Sequence, residues 1–469
     1  MESASSLGKV AVLGLGQTGL GVADYLANQM GNRVGSVTLY GGKNSLENDA
    51  THALETRGVR VVCGTEQLEG TYDLAIVSPG IPESSVFFLA AREHAREVIG
   101  EPEFAWRECP RRWVAITGTN GKTTTTLLAT QLLNVGGLVA KAVGNVGKLC
   151  TEELATRGED DWFVAELSSF QLATTRTFHP RVACLLNVTP DHLEWHGTME
   201  RYAEAKERVF QQMDEHDLAI VSEEDEWCRA IIGRLEDRGL RVCHVSVHSE
   251  PTAPNAAFVR DGRLVVRLAG VEHNLVSAHN LAIQGEHNVQ NALCASALAL
   301  DLGISSDAVS HGLLSFRPLE HRIEPCGEID GVRYVNDSKA TNVDSVVKAL
   351  TAFVPGHVVV LLGGHDKGTQ LSSLAHAVSS RCKAAVCYGE AGPRIAQALA
   401  DEDGDMGLII REAPHMSEAL EVARTLACKG DVVLLSPACS SFDEFKSYRQ
   451  RGETFKEMVG KLGHKEAVR

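Results

Sequence analysis

Short apolar runs recur along the chain. Each is closed by a turn rich in glycine, serine or asparagine, and most are followed by apolar residues at helical spacing. Lys9 to Leu13 is the first run, followed by Gly14-Leu-Gly16-Gln-Thr-Gly19 and a helical pattern reaching about Met30. Ser36 to Tyr40 and Tyr72 to Val77 repeat the form, the second ending in Ser78-Pro-Gly80. Trp113 to Thr117 predicts a buried strand and Gly118 to Gly121 a tight loop. From Lys122 a helix runs through Leu127, Leu128, Leu132 and Leu133 to a stop at Gly136-Gly137. Trp162 to Leu167 and Val182 to Val188 predict further strands. Met199 to Met213 predicts a helix with the stripe Met199, Tyr202, Val209 and Met213. Short strands around the Asp261-Gly262 turn precede a helix from Gly285 to Leu302. Val332 to Asn336, His357 to Leu362 and Asp431 to Ser436 are strands ending in polar loops, and a long amphipathic helix follows Phe442.

Strands alternating with helices predict an α/β protein with parallel sheets. At ~150 residues per domain the length suggests about three domains. The apolar pattern breaks around Glu101 to Arg112 and again near Pro318. These breaks divide the chain into residues 1–100, 101–317 and 318–469. The expected domains are an N-terminal Rossmann-like domain, a central P-loop ATPase-like mixed sheet with helices, and a C-terminal Rossmann-like doubly wound sheet.

Composition removes several function classes. The net charge of −16 disfavours nucleic acid as a partner, because phosphate backbones need a basic surface. No apolar run approaches the ~18 residues of a membrane span, and the N-terminus lacks the basic start and apolar core of a signal peptide. The 12 cysteines form no C-x-x-C and read as reduced thiols in a cytoplasmic protein.

The stretch richest in chemistry is Val114-Ala-Ile-Thr-Gly-Thr-Asn-Gly-Lys-Thr-Thr-Thr-Thr126. A glycine turn opening a helix aims backbone N–H groups, and the positive end of the helix dipole, at one spot suited to a phosphate chain. Lys122 adds a full charge, and the Thr123 hydroxyl can ligate magnesium. The loop is short: Ile116 stands where the usual P-loop has its first glycine. Glu166, near the end of the apolar run Trp162 to Leu167, is placed at the same sheet edge and suits a magnesium contact. His192 follows the next strand; the spacing His192-x-x-x-His196 lacks the glutamate of a zinc protease. Lys206 falls on the apolar stripe, four residues after Tyr202. Burial would leave a neutral amine there, able to take up carbon dioxide as a carbamate; the plainer reading is a lysine reaching out from the edge of the stripe. The N-terminal G-x-G-x-x-G raises an NAD oxidoreductase as a second reading. Its strand-two acid is missing, since that strand ends in Tyr40-Gly41-Gly42, and the P-loop would go unexplained.

Together these motifs resemble the Mur ligases, the ATP-dependent amide ligases of peptidoglycan assembly, over essentially the whole chain. Gly-Thr-Asn-Gly-Lys-Thr is shared with folylpolyglutamate synthases and marks only the superfamily. More particular are Glu166-Leu-Ser-Ser-Phe-Gln171, Asn187-Val-Thr-Pro-Asp-His192, Asn336-Asp-Ser-Lys-Ala-Thr-Asn342 and Leu435-Ser-Pro-Ala-Cys439. They are similar to the branch that adds D-glutamate to UDP-N-acetylmuramoyl-L-alanine through an acyl phosphate, giving ADP and phosphate. The alternative is a related Mur or folylpolyglutamate-type ligase with another amino acid or acceptor.

The resemblance implies a monomer using ATP and two Mg2+ ions. It implies ATP contacts from Gly118, Thr119, Asn120, Gly121, Lys122, Thr123, Thr124, Asn288, Asn291, Arg322 and Asp337. Thr123 and Glu166 would bind one magnesium, and His192 with a carbamylated Lys206 the second, which makes Lys122, Glu166, His192 and Lys206 the catalytic set. Leu15, Gln17, Thr18, Ser78, Gly80 and Asn145 match the UDP-sugar side. Lys339, Thr341, Lys367, Ser441, Phe442 and Tyr448 match the glutamate side. The chain departs from the family pattern at Tyr40-Gly41-Gly42, where many members have an Asp-x-Arg-like segment. It departs again at Phe442 and Tyr448, where the pattern has Leu and Phe.

Overall fold

A computed structural model describes residues 6–283, 285–317, 320–366, 368–403 and 407–466. Three sheets organise it. The first has strands β1 (Gly8–Leu13), β2 (Val34–Tyr40), β3 (Arg60–Val62), β4 (Leu74–Val77) and β5 (Val98–Gly100), in the order β3-β2-β1-β4-β5 and all parallel. Val10 to Leu13 is apolar at every position because helices cover both faces of a parallel sheet. The order reverses between β1 and β4, so the Gly14–Gly19 turn and the Ser78–Gly80 loop leave the sheet side by side.

The second sheet comprises β6 (Trp113–Thr117), β7 (Ala140–Gly144), β8 (Trp162–Glu166), β9 (Val182–Leu185), β10 (Leu218–Ser222), β11 (Arg241–Ser246), β12 (Ala256–Arg260), β13 (Arg263–Leu268) and β14 (Val271–Ser277). Its order is β14-β13-β12-β11-β10-β9-β6-β8-β7, parallel from β7 through β12 and antiparallel between β12 and β13. The third comprises β15 (Glu324–Ile329), β16 (Val332–Asn336), β17 (Val358–Gly363), β18 (Cys382–Tyr388), β19 (Ile409–Ala413) and β20 (Val432–Ala438). Its order is β15-β16-β20-β17-β18-β19, with only β15 antiparallel. This is the α/β architecture expected, each sheet falling within one of the three segments. Two compact units result: residues 1–275 with 291–313, and 276–290 with 314–469. Among the described residues no helix is long and apolar enough to cross a membrane.

Two expected elements are shorter than their patterns. The strand expected to reach Val188 ends at Leu185, because the backbone beyond it turns to bond the P-loop. The helix expected over Met199 to Met213 is α-helical only over Met199–Glu207 and tightens into a 3-10 turn at Arg208–Phe210. The stripe survives the change, since Tyr202, Val209 and Met213 are all buried.

The first two sheets are joined by the helix Glu101–Glu108, where the sequence predicted only a break in pattern. Two of its acids are buried and act as internal caps. Glu103 accepts from the backbone N–H groups of Arg176, Thr177 and Phe178, from the Thr177 hydroxyl and from Arg107 Nε, at 2.6 to 3.1 Å. Burial alone would raise its carboxyl pKa; these donors outweigh it and bring the group below the usual range. A depressed carboxylate stabilises the fold above the unfolded-state pKa of 4.5 and stops doing so as pH falls through its folded value. Glu103→Gln should therefore destabilise the protein by about 2 kcal/mol at neutral pH. The deficit should shrink below about pH 4, as read by denaturant titration across pH; a pH-independent deficit would count against this account.

Candidate active site

Strand β6 delivers the glycine loop to the carboxyl edge of the second sheet. Gly121 has φ +85° and caps the helix Lys122–Val135. A Cβ on Gly121 would sit 2.4 Å from Asn291 Oδ1, and one on Gly118 (φ +150°) 3.0 Å from Leu186 Cβ, so both positions require glycine. β8, paired to β6 with Ile116 opposite Glu166, brings that acid to the same edge. Asn145, from the turn after β7, donates to Glu166 Oε1 at 2.9 Å. Glu166 Oε2 is buried without a hydrogen-bond partner. An orphaned carboxylate oxygen beside a phosphate-type loop has the donor chemistry of a hard-cation ligand, so the residues present fit a magnesium ion.

The helix Met199–Glu207 packs beneath the loop. Lys206 is 1% exposed, and its Nζ donates to Gly118 O at 2.7 Å and lies 4.5 Å from the Tyr202 ring centre. Burial, and then the positive charge of Lys122, hold its amine well below the usual lysine range. The Tyr202 hydroxyl meets Thr119 Oγ1 at 3.0 Å.

The loop differs from its expected form in two ways. The N–H groups of Thr119 and Asn120 do not converge on an outward phosphate spot: both are taken by Asn187, on the loop after β9. Lys122 Nζ turns back onto the carbonyls of Gly118 and Thr119, at 2.9 and 2.8 Å, because a short loop puts those acceptors within its reach. Thr123 is half-buried and Thr124 buried, both in the first helical turn. His192 has φ +52° and packs on Phe170 with ring centres 4.8 Å apart, while His196 is buried against Ser169. Among the described residues, groups of three His, Asp or Glu ligand atoms within 4.8 Å are His179, Asp214 and Asp217, and Glu320, His321 and Glu453; neither group includes Glu166 or His192.

In the first sheet Ser78 Oγ is buried and unpartnered beside Gly14, whose Cβ would come within 2.5 Å of it. Leu15 and Thr18 are half-buried there, and Gln17 and Gly80 are exposed. Tyr40 is buried and its hydroxyl meets that of Tyr72 at 2.8 Å, so it does not stand in for the missing strand-two acid. Asn145, matched to the UDP-sugar side by resemblance, lies against Glu166.

The second unit presents its own edge at the carboxyl ends of β16, β20 and β17. Asp337 accepts from Ser436 Oγ at 2.7 Å and from Ile323 N–H at 3.3 Å, and Arg322 Nε is buried without a partner. Burial pushes the Asp337 carboxyl up to about 7, against the Ser436 hydrogen bond and the Arg322 charge. Lys339 Nζ lies 5.9 Å from the Tyr448 ring centre, Thr341 is half-buried, Ser441 is buried and Phe442 is 70% exposed. Asn288 and Asn291 are both buried on the helix Glu286–Asp301. Lys367 lies outside the described residues. Sequence reasoning quoted Asn187 only as the first residue of a family motif and gave it no role. It also missed Arg451, which is fully buried on the helix Tyr448–Glu466 and bonds Ser338 Oγ, Ser338 O, Cys439 O and Ser440 O.

The sequence matches the Mur ligase middle domain over residues 116–299 and the Mur ligase glutamate ligase domain over 321–439. It is 36% identical to the UDP-N-acetylmuramoylalanine–D-glutamate ligase of Koribacter versatilis, covering 98% of each chain. The chain belongs to the Mur ligase family. To the namesake of Pelotomaculum thermopropionicum it is 38% identical, over 96% of this chain and 97% of the other. Two solved ligases share the fold. One is a pseudomurein peptide ligase type C from Methanothermus fervidus (TM-score 0.61, 16% identity, 97% and 99% coverage). The other is the UDP-N-acetylmuramate–alanine ligase of Thermotoga maritima (TM-score 0.57, 20% identity, 97% and 99% coverage).

Two outcomes follow for this Mur ligase. Gly121→Ala adds about 1–2 kcal/mol of left-handed strain besides the overlap with Asn291, so the variant should be less stable by at least that much in denaturant titration; unchanged stability would contradict the packing described. Between an ordinary value of 3.8 and about 7, Asp337 holds in the fold a proton that the unfolded chain has lost, so its contribution to stability falls as pH rises through that window. Asp337→Asn should gain thermal stability on the native protein across that interval, and a constant difference would exclude the shift.

Proposed function

We propose that the protein joins D-glutamate to UDP-N-acetylmuramoyl-L-alanine, with ATP split to ADP and phosphate. The observation that carries this reading is the near-full-length likeness to ligases of that name, 36% identical over 98% of each chain. The site supplies the matching chemistry. A carboxylate and an amine do not condense in water unaided, so the acceptor carboxylate first takes the γ-phosphoryl group as an acyl phosphate. The glutamate amine then attacks, and phosphate leaves through a tetrahedral intermediate. Lys122 releases the two loop carbonyls it holds and turns to the phosphates, and the first-turn amides of its helix face them. Thr123 and Glu166 would hold one magnesium ion, and His192 with Lys206 the second. When bound, such ions spread the negative charge of the transferring group.

An amine is no ligand for a hard cation while protonated. Burial, and then the charge of Lys122, favour the neutral amine of Lys206, which takes up carbon dioxide: the nitrogen lone pair bonds the carbon, one proton leaves, and a carbamate remains. Asn288, Asn291, Arg322 and Asp337 receive the rest of ATP. Leu15, Gln17, Thr18, Ser78, Gly80 and Asn145 form the UDP-sugar side. Lys339, Thr341, Lys367, Ser441, Phe442 and Tyr448 are assigned to the glutamate side, where Lys367 would pair with a carboxylate of the amino acid. Domain boundaries near residues 100 and 318, a monomeric state and a cytoplasmic location complete the reading.

The test is phosphate release with ATP, magnesium and UDP-N-acetylmuramoyl-L-alanine, adding D- or L-glutamate in parallel. Release dependent on D-glutamate and on the nucleotide sugar is expected; release with L-glutamate only, or with neither, overturns the assignment. Lys206→Ala should lose turnover by about a hundredfold or more and recover part of it with short carboxylic acids. Full activity of that variant would remove the carbamate.

A further inference from the structure

The glycine loop does not shape itself. In a P-loop of the usual length several backbone amides fold round the phosphates. Here the loop is shortened at its start, and the amides of its second and third residues are both taken by one side chain. Asn187 Oδ1 accepts from Asn120 N–H at 2.8 Å and from Thr119 N–H at 3.1 Å, and Asn187 Nδ2 donates to Asn120 O at 3.1 Å. Asn187 O takes the Thr119 N–H as well, at 2.9 Å. A primary amide has the donor and acceptor of a peptide group, so this side chain pairs both the N–H and the C=O of Asn120 as a neighbouring strand would. The pairing continues beyond it: Thr189 N–H donates to Thr119 Oγ1 at 3.0 Å, and Thr119 Oγ1 lies 3.1 Å from Thr189 O. The far side of the 187–189 segment is anchored by Val188 N–H to Asp225 Oδ2 at 3.0 Å, where Asp225 also caps the helix Glu226–Asp237. Asp191 and His192 follow two and three residues beyond Thr189.

We propose that Asn187 is a positioning residue that stands in for a missing stretch of P-loop backbone. It holds the Thr119 and Asn120 peptides turned inward, leaves phosphate recognition to the amides of residues 121–124 with Lys122, and makes the glycine loop and the Asp191–His192 loop one rigid body. This rests on the ATP-binding reading above. Asn187 touches neither nucleotide nor substrate in this account; it acts through the loop.

The test separates phosphate recognition from general damage by comparing nucleotides that differ only in phosphate number. Calorimetric affinities for ATP and AMP would be measured on the full chain, native, Asn187→Ala and Asn187→Asp. Asn187→Asp keeps an acceptor for both amides and loses the donor to Asn120 O. The expected result is a loss of about tenfold or more for ATP in both variants with less than about twofold for AMP. Equal losses for the two nucleotides, or no loss for ATP, overturn the proposal. Native protein that binds no ATP would instead refute the ATP-binding reading on which it stands. Should neither variant fold, hydrogen exchange on the native protein decides. The Thr119 and Asn120 amides should be protected before ATP is added and unchanged by it, while amides 121–124 gain protection. ATP-dependent protection of Thr119 and Asn120 overturns the proposal.

Discussion

The structure depends on satisfying the backbone of one tight loop in a place where water cannot reach it. Gly118 and Thr119 are buried, so their polar groups need protein partners. Gly118 O receives Lys206 and Lys122, Thr119 and Asn120 give their amides to Asn187, and the Thr119 hydroxyl meets Tyr202. Lys122 belongs to the loop's own helix, Asn187 to the segment after β9, and Lys206 and Tyr202 to one further helix. Meeting the demand therefore draws the segment after β9 and the helix Met199–Glu207 onto the mouth of β6. The residues that chemistry needs at that mouth arrive with them.

The second unit solves a similar problem with a cation. Arg451 is buried among carbonyl and hydroxyl oxygens of Ser338, Cys439 and Ser440, which fixes the loops leaving β16 and β20. A guanidinium suits this work because its donors are spread in a rigid plane and can reach several carbonyls at once. Its charge reaches Asp337, where it opposes the rise that burial imposes on that carboxyl. Both edges thus use the same arrangement, a polar side chain from a distant element clamping the turn that follows a strand.

Much of this was legible in the residues. The runs at Lys9, Trp113 and Trp162 became strands because short, nearly continuous apolar segments suit a parallel sheet covered on both faces. Glycines at 118 and 121 marked a turn that no side chain fits. Lys206 was conspicuous as a lysine on an apolar stripe, and it is buried. The pattern overran at Val188 and Met213, since hydropathy records burial and both residues are buried without belonging to the strand or the α-helix.

By itself the sequence determined the α/β class, the elements that carry the chemistry and the phosphate-type loop. Those properties depend on neighbouring residues through periodicity and glycine spacing. Only the tertiary structure decided that Asn187 closes the loop, that Asn145 holds one oxygen of Glu166 while the other stays unpaired, and that Arg451 fixes the second edge. Those are contacts between residues 21 to 113 positions apart. A hydrogen bond of that span leaves no period in the chain, because its partners are chosen by where the sheets place them.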